Sequence, residues 1–173
     1  MKKFFLKSLI ALSVLFASTT MISCDNNDEP GTSAEDKITD VTFDYTIELP
    51  DSYYSYFDIE VEYTNENSEV AKEVINQNWD YSCSIKYEDT PEKVVFNVTA
   101  TPKAELPAIE NGTEYNITGN IKGKIIGYKQ SGIKDDDFGL DISYSASGSY
   151  SSNEWRNYTS RAHKLVHCNE NPR

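Results

Sequence analysis

From Ile38 onward, apolar and polar residues alternate with a period of two, the pattern of strands with one face buried and the other in water. In residues 42–49, Phe43, Tyr45, Ile47 and Leu49 share one face, while Asp44, Thr46 and Glu48 share the other. Residues 57–63 repeat the arrangement, with Phe57, Ile59, Val61 and Tyr63 opposed to Asp58, Glu60 and Glu62. An Asn65-Glu66-Asn67-Ser68 turn precedes a short strand expected over 70–75. Trp79 opens a further run in which Tyr81, Cys83, Ile85 and Tyr87 face one way; Val94, Phe96, Val98 and Ala100 form the next inward set.

Residues 113–128 read as a strand pair or as one bent strand. Tyr115, Ile117, Ile121 and Ile125 lie in one phase, and Gly119, Gly123 and Gly127 fall in the same phase. Glycines on an inward face predict bulges, bends or close approach of another layer. Leu140, Ile142, Tyr144 and Ala146 make the inward set of 139–150, opposite a serine-rich outer face. Turns are expected at 88–91, 111–112 and 134–137. Residues 155–168 fit a helical stripe through Trp155, Tyr158, Ala162, Leu165 and Val166, and fit a last strand nearly as well. No internal repeat of solenoid or propeller period is present. The sum is an all-β fold, an antiparallel β-sandwich of about seven strands, Ig-like or related. A closed lipocalin-like β-barrel is the alternative, kept open by the glycine-rich strand.

The chain before Ile38 has a different texture. Lys2, Lys3 and Lys7 precede a nine-residue apolar run, Leu9 to Ala17, too short for a spanning helix, which needs about 20 residues. Met21-Ile22-Ser23-Cys24 resembles the lipobox of bacterial lipoproteins, which implies a signal peptide over 1–23 and lipidation of Cys24. Several tens of acyl CH₂ groups, at about 0.8 kcal/mol each, would make such an anchor effectively permanent. Residues 24–37 have the Pro, Gly, Ser and acidic composition of a flexible tether, and a single β-sandwich domain is expected over 38–173. Asp25, Asp28 and Glu29 just past the cysteine resemble the export signal of Bacteroides-type lipoproteins. This implies an outer-membrane protein displayed on the cell surface, with the periplasmic leaflet as the alternative.

The layout of residues 40–128, with FDIEVEYTNENSE, a Trp, KVVFNVTATPK and TEYNI in order, resembles a recurring class of small Bacteroides-type surface lipoproteins. In that class an Ig-like or related β-sandwich follows a short tether. The resemblance implies fold and location, and it brings no activity and no functional residues.

Charge narrows the partners. The chain holds 16 Lys and Arg against 28 Asp and Glu, a net charge of −12. Removing residues 1–23 takes three lysines and no acid, which leaves −15. Nucleic acid is excluded on electrostatic grounds, and contact with the membrane is expected through the lipid anchor alone.

Few residues suit catalysis. There is no G-x-S-x-G, P-loop or G-x-G-x-x-G, so no enzyme activity, catalytic residue or cofactor is expected. With Cys24 lipidated, Cys83 and Cys168 remain as a candidate disulfide in an oxidising compartment. His163, His167 and Cys168 form H-x₃-H-C, which on a helix would put both imidazoles on one face, but no second ligand pair exists for a structural zinc. Asp135-Asp136-Asp137 lacks the spacing of a calcium loop and reads as a solvated turn. No metal site is expected. Tyr53, Tyr54 and Tyr56, with Trp155, are the candidate ligand-binding aromatics; the alternative is that the tyrosines cap the end of the core. The expected function is a surface binding module for a glycan or protein. The alternative is a structural or assembly subunit of an envelope complex that associates through a sheet edge.

Overall fold

A computed structural model describes residues 36–172, within a compact unit of Glu35–Arg173. The signal segment, Cys24 and nearly all of the tether lie outside the described residues. Eight strands form two antiparallel sheets: β1 (Ile38–Glu48), β2 (Phe57–Thr64), β3 (Val70–Ile75), β4 (Trp79–Lys86), β5 (Val94–Pro102), β6 (Glu114–Lys129), β7 (Lys134–Ser151) and β8 (His163–Glu170). One sheet runs in the order β4-β1-β6-β7 and the other in the order β3-β2-β5-β8. Among the described residues no strand pairs across from one sheet to the other, so the fold is a sandwich and the closed barrel is set aside.

The alternation explains the core. Val41, Phe43, Tyr45 and Ile47 of β1 and Phe57, Ile59 and Val61 of β2 are each at most 1% exposed, while Asp44 and Asp58 between them are exposed. Val94, Phe96, Val98 and Ala100 complete the second sheet's inner face. Tyr45 stacks on Phe96 across the interior at 4.5 Å. Burial of such rings and branched side chains supplies the main drive to fold.

Residues 113–128 belong to one long strand, β6, and its glycines mark close approach. A Cβ at Gly119, Gly123 or Gly127 would lie under 3 Å from the side chain of Leu49, Phe96 or Phe138 respectively. At Gly123 the second sheet's Phe96 fills the space a side chain would need. Gly139 is held by its backbone instead: φ is +145°, and a Cβ would meet the Ile125 carbonyl oxygen at 2.3 Å.

Three expectations change. The turn expected at 134–137 lies just upstream, at Gln130–Ile133, where Gly132 takes a φ of +81°; the three aspartates begin β7, and Asp135 pairs with Lys129 at 3.3 Å. Residues 155–168 are neither all helix nor all strand: a short helix, α2 (Ser152–Tyr158), is followed by β8. Its start is fixed by a capping box between Ser151 and Glu154. The Cys83–Cys168 disulfide is absent, and both thiols are free. Cys83 lies opposite Phe43 on β4, and Cys168 opposite Phe96 on β8. Tyr63 of β2 packs on Trp79 and Tyr81 of β4, whereas β7 meets β8. The two cysteines therefore sit at opposite edges of the sandwich, and bridging them would require crossing its width.

Candidate functional site

The four candidate ligand-binding aromatics face the core. Tyr53, Tyr54 and Tyr56 lie on a six-residue helix, α1 (Asp51–Tyr56), which crosses the end of the sandwich between β1 and β2. They are 2%, 7% and 5% exposed, and Trp155 is fully buried. Tyr53 stacks on Phe57 at 4.8 Å, Tyr56 meets Trp155 edge-on at 5.3 Å, and Tyr115 stacks on Trp155 at 5.4 Å. The two sheets leave an open end there, and large rings are the side chains that fill it with least chain. As a ligand platform the four are ruled out by burial; they form an aromatic plug.

The rims of the plug are tied down by polar groups. Tyr53 and Tyr158 share a hydroxyl–hydroxyl bond of 2.7 Å. Tyr54 donates to Asn78 Oδ1, which also accepts from the Leu49 amide at 3.1 Å. Arg156 of α2 donates to the Ile109 carbonyl and to Asn111 Oδ1, both at 2.7 Å, and so holds the β5–β6 loop over this end.

The accessible aromatic surface lies beside the plug, where the two sheets part between β7 and β8. Ile117 of β6 forms the floor of a cleft of about 460 Å³. One wall is the inner face of β7, with Tyr144, Ala146, Gly148 and Tyr150, all half-buried. The other wall is His163, Lys164 and Leu165 of β8, and Tyr158 of α2 closes the end. Ala146 leaves the space, a small residue between two tyrosines on one face, whereas Gly148 is covered by the Tyr150 ring, which a Cβ would meet at 2.9 Å.

The closing wall is rigid. The His163 ring stacks on Tyr158 at 3.9 Å, and its Nε2 lies 2.8 Å from the Tyr158 carbonyl oxygen. Tyr158 in turn stacks on Trp155 at 5.5 Å and lies 5.2 Å from Tyr150. Burial raises the Tyr158 hydroxyl above its ordinary range, with the bond to Tyr53 and the Arg161 charge pulling the other way. It therefore stays a neutral phenol, able to donate and accept.

The two histidines are separated by a β-bulge. The register of β5 and β8 shifts between Val98 and Thr99, so Leu165 and Val166 both point inward. His163 thus keeps the inner face, and His167 turns out toward solvent beyond it. Among the described residues no group of three His, Cys, Asp or Glu side chains is placed to hold a metal. Burial pushes the Cys83 and Cys168 thiols up, which keeps them protonated and poor nucleophiles.

Tyr150 and Lys164 are not singled out by the sequence, Tyr144 and Tyr158 enter only as members of apolar patterns, and His163 enters only as part of H-x₃-H-C. The available signal was the run Tyr144-Ser-Ala-Ser-Gly-Ser-Tyr150, whose inward phase carries Ala and Gly where a packed strand would carry larger residues. Among the described residues no helix is long and apolar enough to cross a membrane. Compared with known protein families, curated proteins and solved structures, the chain shows no match.

Proposed function

We propose that the chain is a lipid-anchored envelope protein, held at the cell surface through Cys24, whose sandwich binds a glycan in the cleft between β7 and β8. The observation that carries this reading is a cleft with tyrosine at both ends of one wall and a hydroxyl- and imidazole-bearing rim. Sugar rings present an apolar face that lies flat on aromatic side chains, and hydroxyls that exchange hydrogen bonds with serine, histidine and free backbone groups. The unpaired backbone groups along the β7 edge add to the rim.

Intact cells carrying the full chain should retain fluorescent oligosaccharides, and external protease should abolish the retention. Tyr150→Ala should weaken binding about tenfold, the effect of losing one stacking ring. Retention that survives protease would place the chain on the inner side, and retention indifferent to Tyr150 would place the ligand elsewhere.

A second reading follows from the sheet edge. β7 is an 18-residue strand at the end of its sheet. Gly139 N donates to the Pro172 carbonyl oxygen at 3.0 Å, so the C-terminal residues cover the edge there. From Leu140 to Ser151 the strand holds no Pro or Lys and one charge, Asp141, and so lacks the usual guards of a free edge. In this reading the chain is an assembly subunit that adds a partner strand to β7. Sedimentation of the full chain decides it: oligomers that Ser147→Pro returns to monomers would favour edge pairing, and monomers at every concentration would leave the cleft as the site.

A further inference from the structure

The two sheets end in four edge strands, and three of these carry features that discourage a further strand. β3 is six residues long and holds Lys72 and Glu73; Glu73 stands opposite the buried Val61, so a carboxylate points inward at that edge. β4 holds Asp80 and Lys86 within eight residues. β8 is bent by its bulge and carries Lys164 and Glu170. β7 is the longest strand, at 18 residues, and from Leu140 to Ser151 its one charge is Asp141.

We infer that the partner of this edge is a second copy of the chain, paired antiparallel through β7 so that two four-stranded sheets become one of eight strands. The inference rests on the assembly reading above and names its partner. In that direction the strand is complementary to itself. A twofold axis perpendicular to the sheet near Ala146 sets Ser143 opposite Ser149 of the partner subunit, and Ser145 opposite Ser147 of the partner subunit. These serines lie on the exposed outer face of β7, and hydroxyls directly opposite each other can exchange hydrogen bonds across the pair. Asp141 falls opposite Ser151 of the partner subunit, so the two Asp141 carboxylates stand about 34 Å apart along the strands and no like charges meet. A charged strand from another protein finds no row of counter-charges on this edge. The net charge of −12 opposes association only at long range, and physiological salt screens it beyond about 8 Å. A parallel pair would instead run the serine face of one copy into the core-facing side of the other.

Sedimentation of the full chain in detergent should show dimers. Ser145→Lys and Ser145→Glu should each raise the dimer dissociation constant about tenfold, because residue 145 sits beside the axis and like charges then meet there. The lysine also reduces the net negative charge, so its weakening effect must be local. An equal mixture of the two variants should recover the affinity of the unaltered chain, since each lysine then meets a glutamate. A short bismaleimide should join copies through Ser145→Cys and not through Asp141→Cys. Joining at both positions would mean parallel strands, which overturns the inference and leaves strand addition at β7 standing. Dimers that neither charge variant weakens, or a mixture no tighter than its components, would also overturn it. Monomers at every concentration would overturn both the inference and the assembly reading.

Discussion

Trp155→Ala should lower the unfolding free energy by about 3–5 kcal/mol, the usual cost of removing a large aromatic side chain from a core that cannot collapse around the gap. Few positions in the chain meet that condition as fully. Trp155 is completely buried, and its indole touches Tyr56, Phe57, Tyr115, Tyr150 and Tyr158. Those rings come from α1, β2, β6, β7 and α2, so the cavity would open at the meeting point of both sheets and both helices. The loss is a large fraction of the 5–15 kcal/mol that holds a typical domain together. Urea unfolding measures it: the midpoint should fall with the slope unchanged. A loss below about 1.5 kcal/mol would mean that the end of the sandwich relaxes around the gap, and the description of a rigid plug would be wrong. The same variant should weaken binding in the cleft, since Tyr158 would lose the ring it stacks on.

The plug also marks the boundary of what the sequence makes legible. Strands β1, β2 and β5 were readable because each has one buried and one wet face, and alternation reports that directly. Helix α1 was not. Its six residues are rich in tyrosine, which favours strands, and only the open end of the sandwich makes a helical turn the better way to bury them. The opposite faces of His163 and His167 depend on one bulge, which no periodicity announces. Cys83 lies in inward phase, as the alternation indicates, but the phase of Cys168 follows from the same bulge, and phase does not say at which edge of which sheet a strand ends. The cleft was hidden for a related reason. It arises where two edges belonging to different sheets face each other, and space is left beside Ala146, a residue that in isolation signals nothing.

Alkali should unfold the domain cooperatively between about pH 10 and 12, with tyrosine as the trigger. Burial first, then the nearby Cys83 and Cys168 thiols, raise the Tyr45 hydroxyl well above its ordinary range; burial and the bond to Tyr158 do the same for Tyr53. Tyr54 is pushed up to about 12, again mainly by burial. A phenol whose pKa is raised by folding is held neutral in the native state. Its stabilising contribution is therefore complete below the unfolded value, near 10, and is lost as pH climbs toward the folded value. Within that window each such tyrosine costs about 1.4 kcal/mol per pH unit, so Tyr45 and Tyr53 together remove about 3 kcal/mol per unit. Two units therefore approach the whole stability of a typical domain. The buried thiols of Cys83 and Cys168 act in the same sense from about pH 9 upward. Tyrosinate absorbance at 295 nm and near-ultraviolet circular dichroism should then change together, in a transition steeper than a single ionisation. Gradual ionisation near pH 10 with the dichroism intact would show that these hydroxyls reach water in the folded state. The Tyr45 hydroxyl is buried without a hydrogen-bond partner, so Tyr45→Phe should cost nothing at neutral pH and should move the alkaline midpoint upward. Tyr53→Phe should also move that midpoint upward, but at neutral pH it should cost about 1 kcal/mol, because its hydroxyl bonds to Tyr158.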